Sequence, residues 1–233
     1  MFIYDEIIKE INKLNTNYSF NDLKVDVNKE FKENPNQIIF KNDKSFELGG
    51  GTLHGLNISL LTDENIEKDE VILIGEDLSS LKKDKNYARI TIASIDNERI
   101  GKNNTLYQNI RKFDYVKYHF NLDGVMVRES TFNQKESILV SKNALKKDKI
   151  DFSTLGSYFI KNYKALPFIK NVKVIFINND SYDYASLAKL IQKEENITKA
   201  LDHLMNKVKM DCHSCSLQVI CNEVEKKVKE DFK

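Results

Sequence analysis

Val71-Ile72-Leu73-Ile74-Gly75-Glu76-Asp77-Leu78 is a short unbroken apolar run closed by a glycine and two acids. Its length and its turn-forming boundary predict a strand of a buried sheet rather than a helix. A second run, Val172-Lys173-Val174-Ile175-Phe176-Ile177, apolar except for Lys173, stands about a hundred residues further on. Working outward, Gln37–Phe40, Ser45–Leu48, Leu56–Leu61, Arg89–Ile95, Gly124–Arg128 and Ser137–Val140 also read as strands, with Gly, Asn and Asp between them. Helical spacing appears in Ile3, Ile7, Ile8, Ile11 and Leu14, and again in Leu106, Ile110, Phe113, Val116 and Phe120. Ser153–Leu166 predicts a third helix, with Ser153 as its cap and Pro167 as its stop. After Asp180 the pattern is helical, first Tyr182–Lys193, then Ile197–Met210, then a charged helix from Glu223.

The expected fold class is α+β, a single mixed-sheet domain with an N-terminal helix and a C-terminal helical tail. Residues 1–36 form the N-terminal helix and lead-in, 37–180 the α+β domain, and 181–233 a helical tail that carries the cysteines. The sheet is expected to place Ile72, Ile74, Ile92, Val127, Val174 and Phe176 on one inner face.

The 36 Lys and Arg nearly cancel the 35 Asp and Glu. A formal charge of +1 gives no field to gather phosphate backbones or anionic lipid, so nucleic acid and membrane are not expected partners. No apolar run reaches the ~20 residues of a spanning helix, and the charged start of the chain does not read as a signal peptide. A cytoplasmic protein is expected.

All three cysteines fall in Cys212-x2-Cys215-x5-Cys221. They are odd in number and too closely grouped for a disulfide framework, which favours metal or redox use in a reducing compartment. Thiolates two residues apart can reach one centre from a single turn, and a third a few residues on can close another corner. The spacing suits an iron-sulfur cluster or zinc. The sequence does not assign the fourth position to His213 or Asp211, which sit close beside the cysteines, and a water, a partner or a second copy of the chain could fill it. Gly49-Gly50-Gly51 lacks the Lys-Ser or Lys-Thr of a phosphate cradle and reads as a tight turn. His54 beyond it reads as a solvated residue.

Four ordered segments resemble the middle domain of acetyl-CoA synthase. They are Phe46-Glu47-Leu48-Gly49-Gly50-Gly51 continuing to Leu56-Asn57-Ile58, then Val71 to Leu78, then Ile138-Leu139-Val140-Ser141-Lys142, and lastly Leu166-Pro167-Phe168 with Val172 to Phe176. The resemblance spans 38–179. It implies a stand-alone relative in one-carbon metabolism, with CO dehydrogenase/acetyl-CoA synthase or corrinoid proteins as partners and a 4Fe-4S cluster on Cys212, Cys215 and Cys221. It also places Arg128 and Lys142 near the family's proposed surface for the phosphates of coenzyme A. The departures are specific. The family's fourth cluster cysteine and its Cys-Gly-Cys nickel clamp have no counterpart, there is no Trp, and Leu60 stands where the family has an Arg. The expectation is therefore an accessory iron-sulfur protein rather than a complete acetyl-CoA-forming enzyme, with coenzyme A binding in doubt. The alternatives are a distinct iron-sulfur enzyme with an open cluster iron, which can act as a Lewis acid, and a zinc-stabilised binding module.

Overall fold

The computed structural model describes residues 2–102, 104–130, 135–206 and 217–231. Among these residues two sheets and five α-helices share one hydrophobic core, and the chain is α+β.

Helix α1 (Asp5–Asn15) buries Ile7, Ile8 and Ile11, which are one helical stripe. The first sheet has the order β1-β4-β8-β5-β3, built from β1 (Asn21–Leu23), β3 (Gly55–Thr62), β4 (Glu70–Ile74), β5 (Tyr87–Ile95) and β8 (Ile169–Ile177). β4 runs parallel to β8 and β3 parallel to β5, while the β5–β8 and β1–β4 pairs are antiparallel. The second sheet is antiparallel, with β7 (Glu136–Ser141) between β2 (Lys44–Leu48) and β6 (Val125–Glu129).

Register separates the residues expected on one inner face. Ile72 and Ile74 align with Ile175 and Ile177, and Ile90 and Ile92 lie on that same side. Val174 and Phe176 align with Val71 and Leu73 on the opposite side, and Val127 belongs to the second sheet. The physical reason is that both faces of the first sheet are covered, so its strands are apolar at successive positions; all nine residues of β5 are buried. Helix α3 (Phe152–Lys164) covers the Phe176 side, where the Phe152 and Phe159 rings lie 4.7 and 6.2 Å from the Phe176 ring. On the other side α1 packs with α4 (Tyr184–Met205), and Thr62 at the end of β3 donates to Asp5 of α1.

Three local expectations differ from the structure. Gln37–Phe40 is no strand: the Gln37 amide bonds to the Leu122 carbonyl, Ile39 is buried, and Ile38 and Phe40 are exposed. The cap of α3 is Asp151, whose carboxylate accepts from the Thr154 amide, while the Ser153 hydroxyl donates to the Lys24 carbonyl. The two helices expected after Asp180 are continuous through Asn196 as α4, which runs to Met205, and 207–210 of the second lie outside the described residues. Helix α2 (Asn104–Tyr115) closes the β3 edge, and α5 (Gln218–Asp231) packs on α4. Among the described residues, no helix is long and apolar enough to cross a membrane.

Gly49-Gly50-Gly51 is the turn expected, with Gly49 at φ 73° and Gly51 at φ 60°. It joins strands of different sheets, β2 and β3, and so sets how the two sheets meet.

Candidate functional site

Cys212 and Cys215 lie outside the described residues. Cys221 is half-buried in the first turn of α5, where its amide donates to the Leu217 carbonyl at 2.8 Å. One turn on, Val224 is sunk in the core, so α5 holds this thiol against the fold. Arg128 is more than half exposed and reaches Glu47 at 3.7 Å. Lys142 donates to the Asn42 carbonyl at 2.9 Å. Arg128 stands opposite Ser137, and Lys142 lies five residues beyond Ser137, so strand geometry separates the two by roughly 16 Å. The structure does not bring them together. His54 is exposed and stacks on Tyr184, with ring centroids 5.2 Å apart.

Between the two sheets lies a buried charged group. Arg89, in the middle of β5, is fully buried. Its Nε lies 3.0 Å from both Glu136 oxygens, one Nη completes the bidentate pair and also reaches Glu129 at 3.1 Å, and the other donates to Thr91 at 2.8 Å. The guanidinium also lies over the Phe159 ring at 4.3 Å. Tyr87 donates to Glu136 and Asn57 to Glu129. Glu129 and Glu136 are direct cross-strand partners, a placement that two carboxylates cannot both occupy as anions. Burial and the neighbouring Glu136 push the Glu129 carboxyl up to about 10, so it keeps its proton. Burial pushes Glu136 the same way, but Arg89 outweighs it and holds that carboxyl below the usual range. The set is one cation, one anion and one neutral acid, which balances.

A cavity of about 550 Å³ opens beside this group at the β3 edge. Ser59 and Leu61 of β3 form its floor, α2 supplies Phe113 and Asp114, and α4 supplies Glu194 and Thr198. A hydrogen bond between the Ser59 and Tyr163 hydroxyls at 3.0 Å, and a long one from Arg89 to the Tyr163 hydroxyl at 3.5 Å, link the floor to the buried charges. Glu194 is 7% exposed. It accepts from the Thr198 hydroxyl at 2.6 Å, and Thr198 lies 2.9 Å from the Tyr4 hydroxyl. Thr198 has one proton and gives it to Glu194, so Tyr4 must donate to Thr198. Burial keeps the Tyr4 phenol protonated, well above its ordinary value. Burial, then the charge of Asp114, raises the Glu194 carboxyl to about 7, against the opposing pull of Thr198 and Lys117.

That position carries a stability consequence. A carboxyl raised from 4.5 to about 7 contributes stability that is full below the lower value and is lost as pH climbs through the upper one. Glu194→Gln is therefore expected to stabilise the protein by up to roughly 3 kcal/mol at about pH 8 and to change little at about pH 4.5. Urea titrations at both pH values test this, and a difference that ignores pH refutes it.

No protein-family model matches the chain, and none of the curated proteins does. Neither the cavity nor the Arg89 group was anticipated from the sequence, although both left a mark in it. Arg89 is a lone charge inside an apolar strand run. Glu194 occupies a position of the stripe Leu187, Leu190, Ile191, Leu201, where a core side chain belongs.

Proposed function

We propose that this chain is a stand-alone acetyl-CoA synthase-like protein of one-carbon metabolism that binds a metal centre and acts as an accessory rather than a complete enzyme. Its ligands are Cys212, Cys215 and Cys221, and an iron-sulfur cluster of the 4Fe-4S type is preferred to zinc. The observation that carries the reading is the grouping of every cysteine of the chain within ten residues, a pattern that disulfide use does not explain in a reducing compartment. The four segments that resemble the family support it, and they fall on β2, β3, β4, β7 and β8, the frame of both sheets. Cys221 adds a third thiol on a helix anchored in the core. The partners proposed are CO dehydrogenase/acetyl-CoA synthase or corrinoid proteins. Coenzyme A has weaker support, since Arg128 and Lys142 stand apart.

The test is iron, sulfide and zinc analysis of anaerobically purified full-length protein, with its visible spectrum. Broad absorption near 400 nm and about four irons per chain are expected. Cys215→Ser and Cys212→Ser are each expected to lower bound metal sharply, and metal should leave as thiolates protonate in acid. Zinc in place of iron would favour a zinc-stabilised module. Metal content unaffected by both substitutions would leave three ordinary thiols.

A further inference from the structure

The cavity at the β3 edge holds a buried carboxyl, that of Glu194, set apart from the paired charges of its rim. Asp114 is spoken for by Lys117 at 2.7 Å, and Asp202 accepts from Tyr107 at 2.8 Å. Arg111 lies 3.9 Å from Asp114 and 4.0 Å from Asp202, and Lys199 lies 3.8 Å from Glu195. Each rim cation thus faces a rim anion. Glu194 differs: it is more than nine-tenths buried and lines the cavity, and its one hydrogen bond among the described residues comes from the neutral hydroxyl of Thr198. The cation whose charge acts on it is Lys117, which is hydrogen-bonded to Asp114. Around it the wall is aromatic, with Tyr4, Phe113, Tyr115 and Tyr118. A carboxylate at the bottom of an aromatic-walled hollow is suited to a positive charge, which the ring faces attract and the carboxylate neutralises. The volume lies within the usual range for small-molecule sites.

We propose that this cavity is a binding site for a small organic ammonium ion with an apolar body, its cationic end held by Glu194 and its body against Tyr4, Phe113, Tyr115 and Tyr118. Thr198 and Tyr4 fix the carboxylate by the donor chain described above, which leaves its other oxygen for the ligand. A carboxylate ligand is disfavoured at the same place, because it would meet Glu194 with Asp114 behind it. The proposal is independent of the metal centre, and its failure would leave that reading untouched.

Binding requires the ionised carboxyl. The charged groups facing Glu194 are Arg111 and Asp114 from α2, Lys117 from the turn after it, and Glu195, Lys199 and Asp202 from α4; the β3 residues of the cavity are uncharged. With Glu194 titrating at about 7, its ionised fraction rises about tenfold between pH 6 and pH 8, and the affinity for an amine charged at both should rise by the same factor.

Phenethylamine is the probe, with phenethyl alcohol and hydrocinnamate as neutral and anionic counterparts. Titration of the full-length chain, followed by amide chemical shifts and by calorimetry, should show saturable binding of the amine alone. Affinity should rise about tenfold over the pH window stated and fall at least tenfold in Glu194→Gln. Thermal unfolding of the variant checks that it is folded. Equal affinity for the three probes, affinity unchanged in Glu194→Gln, shifts confined to residues away from α2 and α4, or no saturable binding each overturn the proposal.

Discussion

Arg89→Met is expected to lower the free energy of unfolding by about 3 to 5 kcal/mol, the range for removing one partner of a buried ion pair. The methionine fills most of the volume, so the loss is electrostatic. Glu136 stays fully buried with its lone pairs aimed at an absent guanidinium, keeping only Tyr87 and Glu129 as donors. It must then either remain an unpaired anion or take up a proton, and either choice costs free energy. Glu136→Gln is expected to be damaging as well, since it breaks the bidentate pair and leaves Arg89 only Glu129, at 3.1 Å, as a carboxyl partner. Glu129→Gln is the contrasting case. Glu129 already holds a proton in the folded protein, so an amide of the same shape should stay within about 1 kcal/mol of wild type or exceed it. Denaturation of the three variants at neutral pH decides the point. If Glu129→Gln and Glu136→Gln are equally harmful, the assignment of one neutral and one charged carboxyl is wrong. Exchanging Arg89, Glu129 and Glu136 together for apolar residues should recover much of the loss, because the group satisfies itself more than it strengthens the fold.

Gly55→Ala is expected to destabilise the protein by about 3 kcal/mol, near the top of the range for overpacking a tight core. A methyl group at Gly55 would lie 2.3 Å from the Glu136 carbonyl oxygen and 2.4 Å from that of Gly49. Both obstacles are backbone, so no side-chain rotation relieves them. Relief requires β7 to move away from β3, and that shifts Glu136 off Arg89. Gly51→Ala is the control. It has open space around it and only an unfavourable φ of 60°, which costs about 1 to 2 kcal/mol. Paired denaturation curves should therefore rank Gly55→Ala well below Gly51→Ala. The reverse order would mean that the sheets can separate freely at this point. A double substitution of Gly55→Ala with Arg89→Met should fall short of additivity, because both act through Glu136.

The pattern of apolar residues was enough to read the α+β class, the N-terminal helix and the strands β2 to β8, because burial imposes a period on the chain that survives without knowledge of its neighbours. Val71–Ile74 and Val174–Ile177 are the clearest cases: each is unbroken because each is covered on both faces. The same property hid which face each side chain takes, since alternation disappears when both faces are apolar. Ile74 and Phe176 could be assigned to opposite sides only from the ladder. Gln37–Phe40 failed for the converse reason: three apolar residues in a row need a strand beside them to become a strand, and none is there.

For the sites the division is sharper. The proposed metal centre rests on local sequence, because ligands to one centre can come from a few adjacent residues, and Cys212, Cys215 and Cys221 are named from their spacing. Arg89, Glu129 and Glu136 come from β5, β6 and β7, and the cavity draws Ser59, Asp114 and Glu194 from elements spread over the chain. Each of these acids and bases, taken singly, is one charge among many. What gives Glu194 its proton near neutrality and Arg89 its fixed partners is exclusion of water by segments more than forty residues away, and that exclusion exists only once the sheets and α4 have packed.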